Sequence, residues 1–184
     1  MFQDLTSEEI KTLAKQKKIV LIPVAQIENH GLCLPVGTDQ LLGTEICRRA
    51  AEKDGNAIIG PPITLGNCSD FAAWPGYIVV GNKTLLAVVE DYLSSLKQQG
   101  FEKALFFLMH GGHNFNTLDI AVSELNRDLK MKVHVVSVEH LYSRFREDVM
   151  KLGRENINPE LSMMLAFKPE LVRKKDARQP AVPQ

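Results

Sequence analysis

The chain has 184 residues, with a hydrophobic fraction of 45% and a charged fraction of 24%. That is the balance of one soluble globular domain with a full core. Lys+Arg and Asp+Glu both number 22, so the formal net charge is 0 and no global field draws the chain to nucleic acid. Cys33, Cys47 and Cys68 form neither a disulfide framework nor a thiolate zinc site, which points to a reducing compartment. The N-terminus lacks a signal-peptide run, and no apolar stretch approaches the roughly 20 residues that span a bilayer. A cytoplasmic protein without a membrane partner is expected.

Residues 4–18 read as a short polar helix, with Thr6 or Ser7 as its cap and Ile10, Leu13 and Ala14 on its apolar side. Ile19, Val20, Leu21 and Ile22 form a compact apolar run stopped at Pro23, the mark of a buried parallel strand. Residues 24–37 are too broken by glycine and proline for a helix. Thr38 is placed to cap the next helix, with Asp39 in its first turn and Leu42, Ile46, Arg49 and Ala50 at helical spacing up to Gly55. A brief strand follows near 56–59, and 63–82 is rich in loop signals, including the Trp74-Pro75-Gly76 turn. The clearest helix covers 84–99, where Leu85, Leu86, Val88, Val89, Tyr92, Leu93 and Leu96 share one face and Gly100 ends it.

A second buried strand covers 104–109 and runs into His110-Gly111-Gly112-His113. Leu118, Ala121, Val122, Leu125 and Leu129 then mark a helix, 133–138 a strand, and 160–167 a last helix closed by Pro169. This alternation predicts one layered α/β/α domain over 1–184, with a mostly parallel sheet, right-handed crossovers and a polar tail from about 173.

The unusual polar residues follow two apolar strands. Glu28 and His30 are one residue apart, which puts both side chains on one side of an extended backbone. Asp39 opens a helix, and His110 follows its strand directly. The carboxyl ends of neighbouring strands form the ligand crevice of open α/β sheets, so Glu28, His30, Asp39 and His110 can converge there. Two imidazoles and two carboxylates suit Zn²⁺, Mn²⁺ or Fe²⁺, as one ion or as two with Asp39 bridging. Gly111 and Gly112 let backbone approach a metal or substrate closely.

Each residue also has a plainer use. Glu28 and His30 can be hydrogen-bonded loop groups, Asp39 can serve its helix terminus, and His110 and His113 can cap a helix or satisfy buried carbonyls. Cys33 and Cys47 read as packing. Trp74 fits a pocket wall or the sheet rim, Ser69 and Asp70 fit a ligand contact or a turn, and His134 and His140 fit core or surface roles.

The run IENHGLCLPVGTDQLLGTEICRRAA resembles the creatininase (creatinine amidohydrolase) family signature, a Glu-x-His-Gly-x-His-Leu-Pro run followed by Thr-Asp. The resemblance continues through AAWPGYIVV, LFFLMHGGHNFNTLDIAVSEL and PELSMMLAFKPELV, over roughly residues 5–175. It implies a layered α/β fold, homo-oligomers that are often hexamers, and metal-dependent hydrolysis of small cyclic amides or formamides. It implies metal ligation by Glu28, His30, Asp39 and His110, with Asp39 bridging two ions, and places Glu160 at or near the site. Five positions depart from the family pattern. Gly112 stands where creatininase proper has a second-site Glu, and His113 where relatives without that Glu have Asn. Cys33 and Phe71 stand at His positions, and Glu155 falls where the family has its catalytic-side His.

The expectation is therefore a metal-dependent hydrolase of a small amide-like C–N bond. Glu155, Glu160 and His113 are its acid/base candidates, and Glu160 is a fifth candidate ligand. Ser69, Trp74, Gly111 and Gly112 are its pocket candidates. A metal-dependent sugar or polyol isomerase or lyase is one alternative. A binding protein that kept the fold and lost catalysis is the other.

Overall fold

The computed structural model describes residues 1–67, 75–110, 113–143 and 158–173, and only the backbone for 113–116. Ser69, Asp70, Phe71, Trp74, Gly111, Gly112, Glu155 and the tail from 174 therefore lie outside the described residues. Among the described residues four strands form one sheet: β1 (Ile19–Val24), β2 (Ala57–Ile59), β3 (Lys103–Leu108) and β4 (Lys132–Ser137). Their order is β2-β1-β3-β4 and every pair is parallel, with Leu21 opposite Ile59, Ile22 opposite Phe106, and Phe106 opposite Val135.

The helices are α1 (Ser7–Lys15), α2 (Thr38–Asp54), α3 (Asn82–Gln98), α4 (His113–Leu129), α5 (helical over 138–143) and α6 (Pro159–Phe167). Strand side chains alternate between the two faces, which divides the core in two. Val20, Ile22, Val24, Ala104, Phe106 and Leu108 pack with Ile10, Leu85, Val89, Leu93, Leu118 and Val122 from α1, α3 and α4. On the other face Phe107 and Met109 meet Leu42 and Cys47 of α2, Val138 and Met164. The result is the three-layer arrangement read from the sequence. The β1-to-β2 crossover uses one face, while the oppositely directed β2-to-β3 and β3-to-β4 crossovers use the other, as connections of one hand require.

Several boundaries differ from expectation, each for a local reason. β1 continues through Pro23 to Val24, because β2 has already ended when proline lacks its donor. The Pro23 carbonyl accepts instead from Ile63 N at 2.9 Å. Thr38 is not the cap of α2. Gly37 holds that position, and the Thr38 hydroxyl donates to the Pro35 carbonyl at 2.7 Å. In α1, Thr6 is the cap, in a reciprocal pair with Glu9 that confines the helix to residues after it. α3 starts at Asn82, and Val88 turns to solvent, leaving Leu85, Val89, Leu93 and Leu96 as its buried stripe. β4 stops at Ser137, and Val138 already belongs to α5.

The most confined packing lies under α2. A Cβ added to Gly43 would come within 3.2 Å of Met109 Cβ and 3.8 Å of Pro23 Cβ. A bare glycine here lets the first turns of α2 sit directly on the ends of β1 and β3.

Candidate metal centre

β1 and β3 are the neighbours at which the connections reverse direction, and their carboxyl ends open into the crevice between them. The segment after β1 supplies Glu28 and His30, the residue after β3 is His110, and the first turn of α2 supplies Asp39. The loop carrying Glu28 is pinned by Glu28 N donating to the Val36 carbonyl at 3.1 Å and by Ile78 N donating to the Ile27 carbonyl at 3.2 Å. Gly31, at φ 78, turns the chain beyond His30, where its N–H donates to Asn29 Oδ1 at 2.7 Å.

His30 Nδ1 lies 3.1 Å from the Glu28 carbonyl. A carbonyl only accepts, so Nδ1 carries a proton and Nε2 is the nitrogen turned into the site. Nε2 is 3.0 Å from Asp39 Oδ1, 3.8 Å from Glu160 Oε2 and 3.9 Å from Glu28 Oε1. His110 Nδ1 is 3.1 Å from Glu28 Oε1 and 3.6 Å from Asp39 Oδ2. Glu160 is held by α6, whose start is fixed by the Asn158 side chain accepting from Leu161 N and by Pro159 in the first turn. All five sequence-derived ligand candidates are thus brought together. The backbone places His113 first in α4.

Side-chain exposure is 1% for Asp39 and 4% for His30. Burial raises the Asp39 carboxyl above its usual range, against the opposing pull of His30. Burial likewise raises Glu160, with the Asp39 and Glu28 charges adding to it. Burial disfavours the His30 imidazolium, but the Asp39 hydrogen bond and the charges of Asp39 and Glu160 outweigh it and bring the ring to about 9. His110 is also raised, since the Glu28 contact overcomes its burial. Both shifts favour positive charge on the imidazoles beside the buried carboxylates.

The donor set fits a divalent ion. Glu28, Asp39 and His110 form one triad and His30, Asp39 and Glu160 a second, each with its donor atoms within 4.8 Å of one another. Asp39 Oδ2 is buried and accepts no hydrogen bond, an orphaned anionic oxygen that a cation would satisfy. His30 also shows the outer arrangement of a ligating imidazole, with Nδ1 fixed on a carbonyl and Nε2 turned toward the carboxylates of the site. Mixed N/O triads of this kind suit zinc, manganese or iron.

Tyr142 of α5 joins the neighbourhood without any signal in the sequence. Its only marker is position, shortly beyond the carboxyl end of β4. A surface hollow of about 540 Å³, lined by Phe2, Leu5, Ile10, Lys11 and Gln99 among others, lies beside α1 and contains none of the five donors.

Known proteins repeat this architecture. The chain is 27% identical over 175 residues to the creatinine amidohydrolase of Pseudomonas putida, covering 84% of this chain and 66% of that protein. It is 29% identical over 111 residues to the 3-dehydro-scyllo-inosose hydrolase of Thermotoga maritima, covering 60% of this chain and 35% of that protein. It therefore spans between about a third and two thirds of the length of these relatives. A solved structure described as "Creatininase Mn" superposes with a TM-score of 0.78 at 27% identity, covering 99% of this chain and 79% of that one. A family model described as Creatininase: Creatinine amidohydrolase matches residues 3–184, and with its parallel sheet and clustered donors the chain belongs to the creatininase family.

Proposed function

We propose that this chain is a metal-dependent hydrolase that cleaves a C–N bond in a small cyclic amide or formamide-like substrate. The observation that carries the proposal is the meeting of two donor triads at one buried aspartate. Glu28, Asp39 and His110 would hold one divalent ion and His30, Asp39 and Glu160 another, zinc or manganese ahead of iron. Asp39 presents Oδ1 toward His30 and Oδ2 toward His110. A bound ion supplies the chemistry amide hydrolysis needs, lowering the pKa of water and polarising the carbonyl.

The protein's own groups do the rest. His30 releases the proton on Nε2 to become a ligand and keeps the one on Nδ1. Glu155 passes a proton to the leaving nitrogen, and His113, first in α4, is a second proton carrier. Ser69, Trp74, Gly111 and Gly112 border the substrate. The whole of 1–184 acts as one unit in a homo-oligomer, and the exposed Leu32, Val36 and Ile78 near the Glu28 loop are apolar surface for self-association. Cys33 and Cys47 are free thiols, in keeping with a cytoplasmic location. No helix among the described residues is long and apolar enough to cross a membrane.

The test is metal content together with hydrolysis of a panel of cyclic amides and formamides, for the parent, His110→Ala and Glu155→Gln. The parent is expected to carry metal and hydrolyse a panel member, and His110→Ala to lose metal and activity together. Glu155→Gln keeps its metal and slows turnover. Full metal occupancy in His110→Ala contradicts the ligand assignment. A metal-loaded parent inert over the whole panel contradicts the reaction and favours the isomerase, lyase or binding readings.

A further inference from the structure

We propose that Tyr142 is a positioning residue for the second triad, its hydroxyl serving as the outer hydrogen-bond donor that orients Glu160 when that carboxylate holds a metal ion. The inference rests on the metal reading above and extends it to a residue outside both triads.

Three observations lead to it. First, Tyr142 Oη is buried and has no hydrogen-bond partner. A hydroxyl hidden from water without a partner is costly and uncommon, and calls for an explanation such as a catalytic role or a bound water or ion. Second, the ring packs where that partner is available. Tyr142 shares a hydrophobic cluster with Leu161, Met164 and Leu42, neighbours along α6 and α2 of Glu160 and Asp39. Third, burial is the main cause that holds the phenol protonated, and the charges of Glu160 and then Asp39 add to it. A protonated phenol is a donor, and a carboxylate close enough to act on it by charge is an acceptor.

Glu160 has the room to respond. Its side chain is 33% exposed and its Oε2 is 3.8 Å from His30 Nε2, beyond hydrogen-bond length. Among the described residues, its contact with His30 is a charge contact rather than a directed bond. An ion drawing one oxygen toward His30 and Asp39 leaves the other to accept from Tyr142. Ligating carboxylates commonly need such an outer partner, and losing one typically weakens metal binding about 10- to 100-fold.

The experiment is a double-mutant cycle on the full chain, with Mn²⁺ alone as the probe. Its variants are the parent, Tyr142→Phe, Glu160→Ala and the double variant. Equilibrium dialysis reads the Mn²⁺ affinity, and thermal melting of the metal-free proteins reads any purely structural role. Tyr142→Phe is expected to weaken one Mn²⁺ step about 10-fold in the parent background. In the Glu160→Ala background the same change should leave the remaining affinity unaltered. The metal-free Tyr142→Phe protein should melt no lower than the parent, since it loses only an unpartnered hydroxyl. Equal losses in both backgrounds, no loss in the parent background, or a lower metal-free melting temperature would each overturn the role of Tyr142. A parent that binds no Mn²⁺ would instead overturn the metal reading itself, and this role with it.

Discussion

His30 has the most environment-dependent charge in the site. Its folded pKa is about 9 against an ordinary 6.5, because the bond to Asp39 and the nearby carboxylates outweigh burial. A group raised on folding stabilises the protein fully below its unfolded pKa, and that contribution fades as pH rises through the folded value. The metal-free protein should therefore lose stability between about pH 6.5 and 9, as urea titrations at stepped pH would show. Stability that is flat or rising across that window contradicts the His30–Asp39 pairing. Metal must displace the proton on Nε2, so over the same window its affinity should rise with pH and binding should release protons measurable by calorimetry in buffers of different ionisation heat.

Much of this site was readable in the linear order of residues. Glu28, His30, Asp39 and His110 each stand just past an apolar strand or at a helix start, and the resemblance added Glu160. The partition into triads was not readable, because it depends on which imidazole nitrogen faces inward and which Asp39 oxygen each histidine approaches. Nor does the sequence show that Glu160 stands with His30 and Asp39. Tyr142 was hidden for a simpler reason, since an isolated tyrosine in a helix carries no pattern.

Among the elements, α2 does most to place the chemistry. It carries Asp39 in its first turn, and one turn later Gly43 touches Met109 and Pro23. Gly43→Val should overpack this contact and lower stability by about 1–3 kcal/mol in urea unfolding. Because the strain lifts Asp39 from His30 and His110, the variant should also bind metal more weakly. Unchanged stability and affinity would show that α2 has slack here. The other end of α2 is tied to α6, with the Arg49 guanidinium 4.4 Å above the Phe167 ring and Glu45 paired to both Arg48 and Arg49. The two helices bearing Asp39 and Glu160 are thereby fixed to each other. Helix periodicity exposed α2 to a sequence reading, but the cap at Thr38 was misplaced because the Pro35 carbonyl takes its hydroxyl. Proline similarly concealed the last residue of β1, since its missing donor matters only where a neighbouring strand continues.

Taken whole, the molecule is a parallel sheet with hydrophobic layers on both faces and its clustered donor residues at the crevice where the connections reverse. Short β-branched and aromatic runs between amphipathic segments made that class legible. Strand order was not, because runs 19–24 and 57–59 do not encode which neighbour each accepts. Leu32, Val36 and Ile78 remain exposed at 59%, 43% and 54% near the loop that carries Glu28. If self-association covers them, light scattering at micromolar concentration should give at least twice the mass of the 184-residue chain. Replacing Ile78 with aspartate should reduce that mass, whereas a single-chain mass in the parent contradicts the oligomer.

The sharing of one aspartate by both triads has a consequence that no other substitution mimics. His110→Ala and Glu160→Ala each remove a donor from one triad, while Asp39→Ala removes one from both. Metal bound per chain, measured after loading with zinc or manganese and removal of excess, separates these cases. A metal-bearing parent, reduced content in His110→Ala and Glu160→Ala, and none in Asp39→Ala is the expected result. Stoichiometric metal retained by Asp39→Ala would contradict it.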